Sequence, residues 1–256
     1  FKGDEMDLSR ISERDTRHFE ALYDGSILYA DKILGQFFEE LKRRGLLGDK
    51  RTLLIITSDH GEEFREHNDF LHKRLYTETI TVPLIFYWPG VVPAGKVNKG
   101  QVRLIDLAPT ILDLINAPVP EQMQGVSLKD ALLSKRKAFL CAYSQDPFIK
   151  NQTSLRTQNF LFYKKGNEQK EEFYLTSSDP KEKNNLLQMN NELENFLKKA
   201  GSFSKEIIES FRHKLTCFHF YNQRYKDIFE IPKTEAEKVK LDRDQIEKLR
   251  ALGYIK

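Results

Sequence analysis

The chain has only two cysteines in 256 residues, Cys141 in "AFLCAYS" and Cys217 in "LTCFHFY", and neither stands in a CxxC or any other metal-ligand spacing. No cysteine-ligated metal domain can be argued from them. Cys141 lies in a strand-like run and Cys217 in a helical aromatic run, so both are read as buried thiols. Long apolar runs are also missing: the longest are strand-sized, well short of the roughly 20 residues an integral membrane helix needs. Nor is there an excess of one charge. Lys and Arg number 41 against 38 Asp and Glu, a net charge of +3, which does not describe a protein that binds nucleic acid. No signal peptide opens the chain, and Phe1-Lys2-Gly3-Asp4 lacks an initiator Met. A longer parent sequence is therefore expected, and the missing targeting signal says nothing about compartment.

What is present is ordinary globular material, 39% apolar, 11% aromatic and 31% charged, enough for a real core. From about Asp15 to Arg44 the residues Tyr23, Ile27, Ala30, Leu34, Phe37 and Leu41 recur in alternating steps of four and three, which predicts a long amphipathic helix closed by Gly45 and Gly48. Thr52 to Thr57 is an unbroken apolar and β-branched run, the pattern of a strand buried on both faces of a parallel sheet. A second strand is expected over Val82 to Trp88. "VRLIDLAPTILDLINAP" reads as a short strand, a turn at Asp106 and a helix through Leu114. Further on, Lys137 to Ser144, Ser154 to Thr157, Phe160 to Lys164 and "EEFYL" read as short antiparallel strands before a turn at Asp179-Pro180. Helical spacing then dominates, and Asp242, Gln245 and Gly253 supply a capping box and a stop for a last helix. The expected organisation is an α/β core over 1–134, a small antiparallel-sheet subdomain over 135–190, and a helical tail over 191–256.

The informative stretch is "TLLIITSDHGEEFREHNDFLHKRLYTETITVPLIFYWPG". At the end of its strand, polarity inverts within one residue into Ser58-Asp59-His60-Gly61-Glu62-Glu63. Ligands of open α/β sheets gather outside the carboxyl ends of strands. A hard carboxylate beside an imidazole suits a divalent cation held by mixed oxygen and nitrogen donors, and Gly61 would let the backbone turn sharply. The alternative is a helix N-terminal cluster in which Asp59 and Glu62 satisfy orphan amides and His60 is a surface residue. Spacing alone does not choose between them. His67 reads as solvent-facing, Asp106 as the cap of its helix, and Arg103 has no evident role.

"TLLIITSDHGEEFREHN", "LHKRLYTETITVPLIFYWPG", "VRLIDLAPTILDLINAP" and the terminal "LRALGYI" resemble, in order and spacing, the C-terminal half of sulfatases of the alkaline-phosphatase superfamily. The resemblance runs from about Tyr23 to Leu187 and over the last dozen residues. It implies a partial alkaline-phosphatase-like mixed sheet flanked by helices, and metal ligation by Asp59 and His60. The ion it implies first is calcium, with magnesium, manganese or zinc as alternatives. It also implies that a basic residue, His72 or Lys73 with His72 preferred, touches the oxygens of the transferred group, and that Glu62 and Glu63 orient His60 through its other ring nitrogen. The implied substrate is a small-molecule or carbohydrate sulfate ester, and the implied setting extracytoplasmic, whether periplasmic, secreted or lysosomal.

The family attacks sulfur with a formylglycine made from the first residue of Cys-x-Pro-x-Arg or Ser-x-Pro-x-Arg. Neither form occurs here, and the family's paired acidic ligands belong before that motif. The chain is therefore expected to be inactive alone and to need an N-terminal half to complete the fold. A phosphodiesterase or phosphoethanolamine transferase of the same superfamily, or a non-catalytic remnant acting as a binding module, stays open on these residues.

Overall fold

A computed structural model describes residues 8–48, 50–134, 138, 140–146, 149, 152–166, 170–188 and 203–228. It divides into two compact units, Ser12–Leu215 and the segments Phe1–Ile11 with Thr216–Lys256. In the second unit the described elements are a 3-10 turn, Leu8–Arg10, and the end of a helix that starts in the first. The expected closing helix at Asp242 to Gly253 lies outside the described residues.

The first unit opens with α1, Glu13–Arg43. Its start is set by Ser12, whose hydroxyl accepts from the Asp15 N–H at 3.2 Å while the Asp15 carboxylate accepts the Ser12 N–H at 2.9 Å, a reciprocal cap that satisfies two orphan donors. The apolar stripe is there, but no residue of α1 is buried: Leu22, Ile27 and Phe37 are 55%, 53% and 51% exposed. Near its N-terminus the helix rests on aromatic edges, Phe19 on Phe70 and Tyr23 on Phe64, with centroids 5.7 and 5.2 Å apart.

β1, Leu54–Thr57, pairs with β4, Leu84–Tyr87, from Leu54 opposite Tyr87 to Thr57 opposite Leu84. The pairing is antiparallel, and β1 is half-buried to exposed rather than buried on both faces. An unbroken apolar run says that both faces are built to be covered; it does not fix the direction of a neighbour. β4 starts after Pro83, which has no N–H to give a ladder and whose carbonyl instead accepts from Thr57 Oγ1 at 2.8 Å. Between them come β2 (Glu63–Phe64) paired to β3 (Phe70–Leu71) and the one-turn helix α2 (Thr77–Ile80). The strand expected before Asp106 is a 3-10 turn, Leu104–Asp106, leading into α3, Leu107–Leu114; α4 is Lys129–Leu133. The turn forms because the buried Asp106 carboxylate gathers Arg103 N, Arg103 Nε and Val126 N, at 3.1, 3.0 and 2.9 Å.

The antiparallel sheet is a meander of four strands, β5 (Ala142–Gln145), β6 (Thr153–Arg156), β7 (Phe160–Lys165) and β8 (Lys170–Leu175), in that order. Period-2 alternation explains why β7 is buried on both sides. Phe160 and Phe162 face Phe173 and Phe211 of α5, Phe203–Ile228, with ring centroids 5.4 to 6.3 Å apart. On the other face Leu161, Tyr163 and Tyr174 enclose Leu75 and Tyr76. The segment just after His72 is thus part of the sheet's own core.

Candidate active site

Asp59 and His60 follow the carboxyl end of β1, as the strand pattern implies. Asp59 has a 69% exposed side chain whose Oδ2 lies 3.8 Å from His60 Nε2, and its Oδ1 accepts the His60 N–H at 3.0 Å. His60 Nδ1 lies 2.8 Å from the Gly61 carbonyl, a bond that leaves Nε2 as the nitrogen for a ligand. Gly61 is needed for a different reason from the one expected. Its backbone is not left-handed; a Cβ there would stand 2.0 Å from the Glu78 carbonyl oxygen, and its N–H donates to Thr79 O at 2.8 Å. The Asp59–Gly61 loop is pressed onto α2.

His72 is brought against this pair. Its ring stacks on His60, centroids 4.1 Å apart and planes 30° apart, and its Nδ1 lies 3.4 Å from Glu62 Oε2. Glu62 therefore contacts His72, where it had been expected to orient His60. Its other oxygen, Oε1, is buried without a hydrogen-bond partner. One ligand atom each of His60, Glu62 and His72 lie within 4.8 Å of one another, a grouping that could hold a metal ion. Lys73 stays apart from the cluster in one respect: its side chain is exposed, while its carbonyl accepts from Gln152 Nε2 at 2.5 Å.

Behind the site lies a second polar group, and it corrects the reading of His67. That residue is not solvent-facing: its side chain is 7% exposed, and its ring lies on Tyr76 with centroids 3.5 Å apart. Its Nε2 is 3.6 Å from Glu78 Oε2, a contact too long for a hydrogen bond. Burial pushes the Glu78 carboxyl up, but the neighbouring His67 ring, Glu78's own backbone N–H and, least, Lys183 together outweigh it and hold it below the ordinary value. His67, Glu78 and Glu182 also meet the geometric condition for a metal. The oxygens of Glu182 are already engaged, however, by Thr77 N at 3.0 Å, Thr77 Oγ1 and Arg156 at 2.9 Å. Glu63 is fully buried and accepts the His67 N–H at 2.8 Å; burial raises its carboxyl pKa despite that bond and the nearby Arg74.

Two other expectations resolve structurally. Asp106 has no capping bond to α3; its Oδ1 holds the Arg103 guanidinium at 2.7 Å, which also accounts for Arg103. Cys141 is half-buried, with its thiol pushed up by that burial, but Cys217 is exposed. Gln152 went unnoticed in the sequence, since a lone glutamine before a short strand carries no signal.

Two family profiles match, "Sulfatase" over residues 7–117 and "N-sulphoglucosamine sulphohydrolase, C-terminal" over residues 65–206, more than half of the chain. The chain belongs to the sulfatase family. An N-acetylglucosamine-6-O-sulfatase of Bacteroides thetaiotaomicron is 31% identical over 72% of this chain and 35% of its own length. An arylsulfatase of Clostridium perfringens is 30% identical over 69% of this chain and 37% of its own length. A solved structure in complex with its substrate D-glucosamine-2-N,6-O-disulfate superposes with a TM-score of 0.62 at 27% identity, over 78% of this chain and 40% of the other. The chain thus spans just over a third of the length of these two curated relatives. Sulfatases generally bind a divalent metal, and the clusters above are candidate ligand groups for one. Among the described residues no helix is long and apolar enough to cross a membrane.

Proposed function

We propose that this chain supplies the metal-ligand pair and an anion-binding imidazole of a sulfuric ester hydrolase acting on a sulfated sugar. The observation that carries the proposal is the stacking of His72 on His60 beside the exposed Asp59 carboxylate. Asp59 and His60 would hold the divalent ion. The donor set fits such an ion in part: one exposed carboxylate and one imidazole with a free nitrogen are two of the six or more ligands calcium takes, so carboxylates from outside this chain must supply the rest. Calcium is our first choice, with magnesium, manganese and zinc behind it. When bound, the ion would supply positive charge to the sulfate oxygens.

The residues of the chain act on the substrate anion beside that ion. His72, held at Nδ1 by Glu62, turns Nε2 to the substrate, where it steadies charge on the transferred group or protonates the leaving oxygen. The Lys73 ammonium, free to move on its exposed stem, adds attraction for the anion. The nucleophile comes from sequence outside the 256 residues, because no Cys-x-Pro-x-Arg or Ser-x-Pro-x-Arg occurs within them. Sugar sulfate as substrate is supported by the relatives' own substrates, and an extracytoplasmic setting by the kind of enzyme. The test is release of sulfate from glucosamine 6-sulfate by the full-length protein, run beside bis(4-nitrophenyl) phosphate. Desulfation is expected; a preference for the phosphodiester would replace this reading with a phosphodiesterase of the same superfamily.

A further inference from the structure

The loop that carries His72 is held from the four-stranded sheet, and the hold nearest the imidazole is Gln152. We infer that Gln152 is a positioning residue for His72; the inference rests on the role proposed for that histidine. Gln152 is 5% exposed and all three of its amide contacts are internal. Its Nε2 donates to the Lys73 carbonyl at 2.5 Å and to Asp146 Oδ2 at 3.0 Å, and its Oε1 accepts from the buried Tyr163 hydroxyl at 2.9 Å. The amide is thus oriented by Tyr163 and Asp146, then spent on the backbone next to His72.

That backbone needs holding. Leu71, immediately before His72, has φ +71°, a left-handed conformation that a leucine keeps only where its surroundings over-determine it. The β2–β3 pairing fixes it on one side, through Glu63 opposite Leu71. On the other side the sheet and the chain flanking its strands take over at three points: Gln152 at Lys73, the Glu172 carboxylate accepting from Tyr76 Oη at 2.6 Å, and Glu182 accepting from Thr77 N at 3.0 Å. The last two lie beyond a further turn of chain. Of these three, Gln152 acts nearest His72, one residue away, so its loss loosens the Lys73 side of the His72 peptide while leaving the Tyr76 and Thr77 anchors in place.

The test uses the protein labelled with 13C-histidine and 13C-methyl leucine, in which ring stacking displaces the His60 and His72 ring signals; His72→Gln assigns them. Gln152→Met keeps the length and removes both donors. The expected result is that the displaced His60 and His72 signals move toward unstacked values while the methyl signals of Leu155 and Leu161, fully buried in the same sheet, stay put. Should Gln152→Met not fold, Tyr163→Phe removes only the hydroxyl that orients the amide and is expected to move the same ring signals by a smaller amount. Ring signals unmoved in a folded variant would overturn the inference. Kinetics then separate the two claims: Gln152→Met should lower kcat about tenfold, the scale of a modest misplacement of a catalytic group, with KM within about twofold. If the ring signals move but His72→Ala turns over at the full rate, the positioning stands and the catalytic role of His72 falls.

Discussion

The imidazoles of His60 and His72 stack 4.1 Å apart at the end of β1, although one belongs to the strand's exit and the other to a loop clamped by a different sheet. Two separately anchored segments thus meet at one point. Gly61 holds the His60 side, through its bond to Thr79 O and its contact with the Glu78 carbonyl. The Lys73 and Thr77 anchors hold the other. Because α2 belongs to both, a change that lifts Gly61 from α2 separates the two rings.

Gly61→Ala should therefore be strongly disruptive, although the backbone conformation itself admits alanine. The added Cβ would stand 2.0 Å from backbone that cannot swing away as a side-chain tip can. Overpacking of this kind costs about 1–3 kcal/mol or more. A fall in Tm of several degrees is expected in a thermal melt of the variant, and loss of the proposed sulfate-ester hydrolysis in an assay of the full-length protein.

His72→Ala should lower kcat about 10²-fold or more, the scale of losing one transition-state charge stabiliser or general acid. Lys73→Ala should have a smaller effect, carried mainly by KM, since its side chain is exposed and only its carbonyl is tied down. Steady-state kinetics on a sulfate ester distinguishes the two residues, and equal effects would undo the preference for His72.

Glu63 predicts a pH dependence of stability. Burial raises its folded-state pKa above the unfolded value. The folded chain then binds that proton more tightly, so the stabilising contribution is complete below the unfolded pKa and is lost as pH rises through the folded one. Glu63→Gln keeps an acceptor for the His67 N–H and removes the buried charge. Its melting temperature should decline less than the wild type's between about pH 5 and about pH 8; melts across that range check this.

The apolar side chains exposed on several faces of α1 predict self-association of the 256-residue chain on its own. Leu22, Ile27, Leu28, Tyr29, Ile33 and Phe37 all stand exposed along one helix, and apolar surface on that scale seeks a cover. Light scattering should report oligomers, and Leu28→Lys with Ile33→Lys should reduce them.

Periodicity made most of the elements legible. The three-four spacing of α1, the apolar run of β1 and the alternation of β6 to β8 each describe one element against one environment, and each element is present. What the sequence did not disclose depends on contacts between distant segments. The burial of His67 is set by Tyr76 and Glu78, whose own positions depend on the meander some hundred residues on. Asp106 looks like a cap because it precedes a helix, yet its carboxylate is drawn to Arg103 and Val126. Gly61 fits a turn by composition, while the reason for it is a carbonyl of α2. Asp59, His60 and His72 were nameable because family resemblance gives their order; Gln152, which no pattern marks, was not.

The most direct measurement is the initial rate of 4-nitrophenyl sulfate hydrolysis by the full-length protein with calcium present, wild type against Asp59→Ala, with the 256-residue chain assayed alongside. Asp59→Ala should have no metal-dependent turnover and the 256-residue chain no turnover above background, because the first lacks a ligand for the ion and the second a nucleophile. Undiminished turnover by Asp59→Ala, or robust turnover by the 256-residue chain alone, would contradict the proposed site.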